Sequence, residues 1–447
     1  MISTWLPRIL LIWGLMVAPF VYGYAVGRFE TFPFAAMNHA WEQFKAVKES
    51  LTGKLPDYYI PTSQRRTAVL HQPGRVAPGM TLLTGVGPKG VLFAKLVDAD
   101  GRLEHYWDLD WFRMWPDARH VPADRLPKQR PGADIHGIVL SPNGDLTFNF
   151  GSLAMVQVDV CDRIKWRLPR LTHHAMDQDA SGNFWTLDLV LHDKPAPGLP
   201  NYQPPFEDDG VLEVSPDGRV LRRFSVFDLL RENGLQGLLY MSSIDNASTT
   251  ATGDTLHVND VDVFPASMQP GLFKPGDVMV SLRNINVVFV FDPATRKIKQ
   301  LVAGHFIRQH DTDFLDGSTI SVFDNNNVGL PQAEASSRIV QYSFKTGQDA
   351  VLFQGSKAVP FYSYFMGKQQ RLDNGDLLLT EATQGHALEV NAKGEPVWEY
   401  FNQLGGGNLG VIEEAMRIPP TTLSAQTLQR LAAKCPVTGP SAGGTPS

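Results

Sequence analysis

Four of the twelve histidines in the 447-residue chain occupy matching positions in repeated segments. His136 and His174 each lie eight residues before a turn glycine, and His310 lies seven residues before one. His257 precedes its glycine by nineteen residues, because that segment carries a proline-containing insert. Imidazoles bind metals, attack electrophiles and exchange protons near neutral pH. The shared register predicts a functional ring of histidines, and a ring of purely structural channel-lining side chains is the alternative.

A cation and an amide accompany one histidine of this set. His257 and Asn259 are two residues apart, so in a strand both side chains point to the same side. Arg283 ends the following apolar run, and its planar guanidinium matches two oxygens of a sulfate or phosphate. The chain has no HExxH motif and no Cys/His spacing typical of zinc sites. These features favour chemistry on an anion without a metal, and a metal-dependent hydrolase such as a lactonase is the alternative.

Short hairpins are predicted over most of the chain after residue 80. Apolar and polar residues alternate with a period of two, and turns such as Asn143-Gly144 and Asn374-Gly375 recur between them. The repeats form six units, at about residues 80–112, 133–170, 171–228, 250–303, 306–355 and 361–402. Four strands per unit is typical of a β-propeller blade, whose first strand lines a central channel. We therefore predict an all-β fold, a six-bladed β-propeller over residues 80–403, with the histidines at one mouth of the channel.

The N-terminal segment is predicted to be a membrane anchor. Residues 9–26 carry no charge and are flanked by Arg8 and Arg28, and eighteen residues are just enough to cross a bilayer as a helix. We predict a signal anchor, a transmembrane helix within residues 1–28, with a cleaved signal peptide as the alternative. A short stalk helix and a linker are predicted over residues 29–79. The chain would then be a single-pass inner-membrane protein with its propeller in the periplasm.

The overall composition indicates a globular chain and excludes one class of partner. Hydrophobic residues make up 43% of the chain, which is enough for a large core, and the net charge is −6. Since the chain also has no basic run, nucleic acid is not expected as a partner. Cys161 and Cys435 either form a disulfide in an oxidising compartment or remain free thiols. A C-terminal extension is predicted over residues 404–447, with a short helix near residues 423–433 and a disordered tail from residue 439.

Several short motifs follow one another between about residues 130 and 402. The motifs are His257-x-Asn259, Ser281-Leu282-Arg283, Gln309-His310-Asp311, Phe323-Asp324-Asn325, and Glu381-Ala382-Thr383-Gln384-Gly385 followed by Glu389-Val390. In this ordered set the chain resembles the bacterial arylsulfotransferases that use no nucleotide sulfate donor. The resemblance implies a six-bladed propeller, in agreement with the repeat count. It also implies a ping-pong sulfotransferase that needs no cofactor, metal or nucleotide.

The resemblance further implies how a sulfuryl group would be handled. The expected small-molecule partners are an aryl sulfate and a phenol. His310 would attack the sulfur of the aryl sulfate and form a sulfohistidine, from which the phenol collects the sulfuryl group. The sulfuryl oxygens would be bound by His257, Asn259 and Arg283, which stabilise the charge of the transition state.

Proton exchange is the remaining role that the resemblance assigns. The departing phenolate would take a proton from His174 or from the adjacent His173. His136 completes the ring as a substrate-binding residue, whereas the polar run from Asp324 to Asn327 is interpreted as a strand-end cap. A propeller without catalytic activity, which binds a protein or an anionic polysaccharide, is the alternative to this assignment.

Overall fold

The computed structural model describes residues 6–29, 58–241, 251–332 and 334–435, within two compact units, Met1–Tyr59 and Ile60–Ser447. The first unit contains one described helix, Leu6–Phe29. None of the helices in the described ranges combines the length and the apolar character that a bilayer span requires. The predicted transmembrane anchor is therefore not supported. The predicted stalk helix and the tail from residue 439 lie outside the described residues.

Six sheets with four antiparallel strands each, which we name A to F, make up most of the described second unit. Sheet A comprises Ile135–Leu140, Leu146–Phe150, Ala154–Val158 and Ile164–Leu168. Sheet B comprises Thr172–Gln178, Phe184–His192, Tyr202–Val214 and Val220–Ser225, and a fifth strand, Ala251–Gly253, runs parallel to the third. Sheet C comprises Val258–Val263, Val278–Leu282, Val287–Asp292 and Lys297–Ala303.

The other three sheets have the same plan. Sheet D comprises His310–Phe314, Thr319–Asp324, Arg338–Ser343 and Gln348–Gln354. Sheet E comprises Lys368–Arg371, Leu377–Glu381, His386–Val390 and Pro396–Phe401, with Ala68–Leu70 added at its outer edge. Sheet F comprises Ile412–Ile418, Met80–Val86, Leu92–Val97 and Leu103–Asp108. In each sheet the first strand named is the innermost one.

The innermost strands form a closed ring. Each packs against the innermost strand of the next sheet, from A through F and back to A. Sheet F closes the ring by joining both ends of the repeat region, because Ile412–Ile418 pairs with Met80–Val86. The predicted boundary of the repeat region, residue 403, lies before this closing strand. The all-β prediction is confirmed, and the architecture is propeller-like.

Apolar side chains between neighbouring sheets hold the ring together. One cluster joins sheets B and C and includes Trp185, Phe224 and Phe291, all of them buried. Burial of a phenylalanine side chain stabilises a fold by about 1.5–3 kcal/mol. The middle strands of a sheet are buried on both faces, as Val278–Leu282 and Val287–Asp292 of sheet C show, so a sheet can pack against two neighbours.

Five of the six innermost strands break register near their first residues. The breaks fall between His136 and Ile138, His173 and Met176, Val258 and Asp260, His310 and Thr312, and Ile412 and Glu414. A β-bulge bends its strand and changes the direction of the side chains beside it. Many of the residues at these breaks line the cavity described below.

Three further helices and several short elements complete the described chain. The helices are Trp111–Met114, Val226–Glu232 and Ala425–Ala432, capped by Asp110, Ser225 and Ser424. The turns of 3₁₀ helix are Pro73–Arg75, Pro88–Gly90, Gln236–Tyr240, Arg283–Ile285 and Ala382–Gln384. The short strands are Tyr59–Pro61, Gln403–Gly405 and Asn408–Gly410. The last helix lies where residues 423–433 predicted one, and the adjacent Cys435 forms a disulfide with Cys161.

Candidate active site

A cavity at the ends of the innermost strands brings the predicted histidine ring together. Its wall includes His136, His174, Asn259 and His310. The imidazole centres of His136 and His174 are 4.9 Å apart, and those of His174 and His257 are also 4.9 Å apart. Side chains from sheets A to D and from the segment just before sheet C therefore meet in one site.

Asn325 determines the tautomer of His310. The Asn325 amide nitrogen donates to the backbone oxygens of Ser363 and Met366, at 2.9 and 2.7 Å. Asn325 Oδ1 therefore faces His310 Nδ1, at 2.6 Å, and accepts the proton that Nδ1 carries. His310 Nε2 keeps its lone pair and accepts a 3.3 Å hydrogen bond from Met366 N. His310 is thus a neutral imidazole whose Nε2 atom is the nucleophilic one.

Burial keeps His310 uncharged. The residue is 6% exposed, and loss of hydration is the main reason that its pKa is lowered to about 3. The hydrogen bond with Asn325 opposes this shift, while the nearby charges of Arg283 and Lys368 act in the same direction as burial. Since a nucleophilic imidazole must be unprotonated, His310 is in the competent state throughout the neutral pH range.

The polar run at the end of the second strand of sheet D has two different roles. Asp324 caps the strand end, because its Oδ1 accepts hydrogen bonds from the backbone N–H groups of Ile307 and Asn326, at 2.8 and 3.0 Å. Asn325 instead contacts His310. The interpretation of the whole run as a strand-end cap is therefore wrong for Asn325. Consecutive side chains of a strand point to opposite sides, which separates the two neighbours.

His173 and His174 occupy different environments although they are adjacent. Their Nδ1 atoms are 2.7 Å apart, so one of the two carries the shared proton. Burial disfavours the charged form of His173, but Asp209, 3.3 Å from its Nε2, outweighs burial and raises the pKa. Loss of hydration and four neighbouring histidines hold the pKa of His174 well below its usual range. Of the two, only His174 lies in the cavity wall, and it is neutral.

Asn259 and Arg283 are the two residues that were predicted to bind sulfuryl oxygens together with His257. Asn259 donates to the backbone oxygen of Gln309, at 2.7 Å, and its Oδ1 has no hydrogen-bond partner among the described residues. The backbone N–H of Arg283 donates to the His257 oxygen at 3.1 Å. Its half-buried guanidinium shares the Asn284 Oδ1 atom with Arg308, whose Nη1 is 2.8 Å away. Two guanidinium groups therefore meet beside the histidines, and the sequence analysis identified only Arg283.

Carboxyl groups and a lysine form another part of the cavity wall, which the sequence analysis missed. Lys368 Nζ lies 2.6 Å from Asp311 Oδ1 and 3.6 Å from Asp260 Oδ1. Glu413 and Glu414 come from the innermost strand of sheet F, which the repeat count did not include. Neither carboxyl oxygen of Glu413 has a hydrogen-bond partner among the described residues, and burial raises its pKa well above the usual range. Recognition of this strand in the sequence would have added both glutamates to the ring.

The described residues contain no group of three or more His, Cys, Asp or Glu side chains arranged to hold a metal ion. Three histidines at the site each have a polar side-chain partner on one ring nitrogen. His257 Nδ1 contacts Asp254, His173 contacts Asp209, and His310 contacts Asn325. In such pairs the partner on one nitrogen sets the protonation of the other nitrogen.

A family model described as Arylsulfotransferase (ASST) matches residues 137–403. The chain belongs to the arylsulfotransferase family. The matched part of the chain contains His174, His257, Arg283 and His310, whereas His136 and Glu413 lie just outside it. Family membership supports a sulfotransferase-type function.

A comparison with curated proteins yields no match. Similar solved structures include a Bacteroides caccae protein of unknown function, with a TM-score of 0.42 and 13% identity over 75% of this chain and 98% of that one. A streptogramin B lyase has a TM-score of 0.39 and 10% identity over 75% of this chain and 87% of that one. The Staphylococcus aureus virginiamycin B lyase has a TM-score of 0.35 and 9% identity over 80% and 98% of the two chains. At these scores the similarities carry no conclusion about function.

Proposed function

We propose that the chain transfers a sulfuryl group from an aryl sulfate to a phenol, with His310 as the covalent carrier. The observation that carries the proposal is the state of His310. Its Nδ1–H is held by Asn325, its Nε2 carries the lone pair and accepts a 3.3 Å hydrogen bond from Met366 N, and its pKa of about 3 keeps it neutral. A neutral, oriented imidazole is the state in which histidine acts as a nucleophile.

In the first half-reaction, the lone pair of His310 Nε2 attacks sulfur and a nitrogen–sulfur bond forms. The bond between sulfur and the aryl oxygen breaks, and its electron pair leaves with that oxygen. In the second half-reaction, the oxygen of a phenol attacks the sulfur of the sulfohistidine. The nitrogen–sulfur bond breaks, and its electron pair returns to Nε2. Charge that develops on the sulfuryl oxygens would be stabilised by Arg283.

The proton for the leaving aryl oxygen needs a different donor from the predicted one. His174 was expected to supply it, with His173 as the substitute. The pKa of His174 is held well below its usual range, so it carries no proton to give at neutral pH. The pKa of His173 is raised, but its Nε2 is directed at Asp209 and its Nδ1 at His174. Neither residue therefore supports the predicted role.

A two-step assay tests the proposal. Purified protein is mixed with 4-nitrophenyl sulfate, first alone and then with phenol, and release of 4-nitrophenolate is followed by absorbance. The wild type is expected to show a burst equal to the enzyme concentration and steady turnover only with phenol. Mass spectrometry should place the sulfuryl adduct on the peptide that contains His310.

Two variants complete this test. His310→Ala should lose both the burst and turnover. The control is His305→Ala, which removes a histidine paired with Asp349 on the last strand of sheet D, and this variant should keep both. A wild-type protein without burst or transfer, or a His310→Ala variant that transfers at the wild-type rate, would overturn the proposal.

The disulfide between Cys161 and Cys435 bears on location. Structural disulfides persist in oxidising compartments and are rare in a reducing cytosol. We extend the proposal to an exported chain whose sheets fold in the periplasm. Recovery of the oxidised protein in a periplasmic fraction would support this location, and recovery of the reduced protein in the cytosol would contradict it.

A further inference from the structure

We infer that Asp254 and His257 form a carboxylate–imidazole pair that moves the proton between the enzyme and the phenol oxygen. This inference rests on the proposed sulfuryl transfer through His310. His257 would be the catalytic acid and base, and Asp254 would be its positioning residue. The pair gives His257 a role in proton transfer in place of the expected binding of sulfuryl oxygens.

Asp254 holds His257 at two points. Its Oδ1 accepts a 2.8 Å hydrogen bond from the backbone N–H of His257, and its Oδ2 contacts the ring Nδ1. His257 has a φ of +50°, in the left-handed region that residues other than glycine rarely adopt. Such backbone strain persists only where surrounding contacts enforce it, and it is concentrated at functional sites. The carboxylate thus fixes both the backbone and the ring.

The contact with Asp254 leaves the other ring nitrogen for a ligand. A carboxylate accepts hydrogen bonds, so Nδ1 carries a proton and Nε2 is the atom that gains or loses one. Nε2 is buried and has no hydrogen-bond partner among the described residues. The side chain as a whole is 19% exposed and its ring centre is 4.9 Å from that of His174. His257 therefore lies next to His174 of the cavity wall.

The other histidines of the ring lack this combination. His310 uses Nδ1 to contact an amide, and His174 uses Nδ1 to contact His173. His173 has a carboxylate, Asp209, but it is 3% exposed and is not part of the cavity wall. His136 has no hydrogen-bond partner for Nδ1 among the described residues. Within the site, His257 is the imidazole with a carboxylate on one nitrogen and an unoccupied second nitrogen.

The protons and electrons balance over the two half-reactions. When the sulfur–oxygen bond of the donor breaks, the aryl oxygen keeps the electron pair and takes the proton from Nε2 of protonated His257. His257 is then neutral. The incoming phenol gives its proton to the same Nε2 as its oxygen attacks sulfur, and the nitrogen–sulfur pair returns to His310. Asp254 stabilises the imidazolium that is present before the first half-reaction and restored by the second, as the carboxylate of a Ser-His-Asp triad does.

The test compares two donors that differ in their need for a proton. 4-Nitrophenolate is a stable leaving group without protonation, whereas phenolate is a poor one. In Asp254→Asn, burst formation from phenyl sulfate is expected to fall by about 10²–10⁴-fold, the usual contribution of general acid catalysis. Burst formation from 4-nitrophenyl sulfate should change little. Asp254→Glu, which restores a carboxylate, should recover part of the rate with phenyl sulfate.

Asp349→Asn is the matched control, because His305 and Asp349 form an exposed carboxylate–imidazole pair with a 3.0 Å contact. It should behave as the wild type with both donors. An equal loss on both donors in Asp254→Asn would show a merely structural role and overturn the inference, as would wild-type rates on both. If the wild type itself transfers no sulfuryl group, the proposed function falls and this inference falls with it. If the wild type transfers the sulfuryl group but Asp254→Asn loses the same rate with both donors, the inference falls and the proposed function stands.

Discussion

His310 Nδ1 and Asn325 Oδ1 are 2.6 Å apart, and this contact decides which nitrogen of the imidazole carries the proton. The two residues lie on adjacent strand ends of sheet D, fifteen positions apart. The amide cannot reverse without losing its hydrogen bonds to the backbone oxygens of Ser363 and Met366. The proposed nucleophile, His310, is therefore oriented by a neutral group, and burial rather than this contact sets its charge state.

Replacement of Asn325 by Asp should make the activity depend on pH. A carboxylate 2.6 Å from the ring favours the imidazolium, so the pKa of His310 should rise from about 3 toward neutrality. Below the new pKa each pH unit should cost about tenfold in burst rate, because the neutral fraction falls tenfold. The burst with 4-nitrophenyl sulfate should be measured between about pH 5 and pH 9.

Asn374→Asp is the control, because Asn374 is an amide in a hairpin turn of sheet E, where it hydrogen-bonds to Asp376. Its pH profile should match that of the wild type. An Asn325→Asp profile as flat as that of the wild type would show that Asn325 does not govern His310.

Replacement of Lys368 by Met should destabilise the fold. Lys368 contacts Asp311 and lies near Asp260, and both carboxylates are buried. Loss of the ammonium leaves them facing each other without a counter-charge, which typically costs about 3–5 kcal/mol. The melting temperature should fall clearly in calorimetry. Lys274→Met removes a largely exposed lysine that pairs with Asp292, and it should lower the melting temperature much less. Equal behaviour of the two variants would contradict this prediction.

The wild-type fold should lose stability as the pH rises to neutrality, and the replacement of Glu414 by Gln should abolish this loss. Burial raises the pKa of Glu414 from 4.5 to about 7, so the folded chain binds this proton more tightly than the unfolded chain. The contribution of this tighter proton binding to the free energy of unfolding is fully present below about pH 4.5. It is lost as the pH rises to about 7. The difference corresponds to about 3 kcal/mol.

Urea unfolding at pH 5 and pH 8 measures this effect. Between these two values, the wild type should lose about 2.5 kcal/mol more than Glu414→Gln loses. Glu395→Gln, at an exposed hairpin position, should lose as much as the wild type. If the free energies of unfolding of wild type and Glu414→Gln change equally between pH 5 and pH 8, Glu414 ionises without cost in the folded chain and the prediction is wrong.

Replacement of Cys435 by Ser should weaken the C-terminal helix. The disulfide to Cys161 ties Ala425–Ala432 to sheet A, and Leu428 of the helix is buried. Loss of a native disulfide typically costs about 2–5 kcal/mol. Limited proteolysis should cleave the variant first after residue 418. The double variant Cys161→Ser/Cys435→Ser should behave like the single one, and resistance equal to the wild type in both would contradict the prediction.

Local sequence patterns predicted most of the strands. Alternating apolar residues and Asx-Gly turns depend on neighbours within a few positions, so the repeats of sheets A to E could be located without a structure. Sheet F could not be completed in this way. Its innermost strand, Ile412–Ile418, is separated from its partner Met80–Val86 by more than three hundred residues. No local signal identifies such a pairing, so Glu413 and Glu414 were missed.

In the site, too, the sequence indicated some features and left others hidden. The spacing of His136, His174 and His310 before their turns was visible in the sequence, because each histidine is a fixed number of residues from its own hairpin. The partners of the histidines were not visible. Asn325 was misread as a cap, and Asp254 went unnoticed, since hydrogen-bond partners depend on side-chain direction.

The sequence by itself determined the strand pattern, the register of the histidines and the family, because these are properties of residue order. The tertiary structure alone decided which nitrogen of each histidine is free, which imidazoles are neutral and where carboxyl groups meet the ring. Charge state depends on burial and on neighbours from other sheets. His310 is neutral for that reason, and His257 is paired with Asp254 because a strained backbone brings its ring back to a residue three positions earlier.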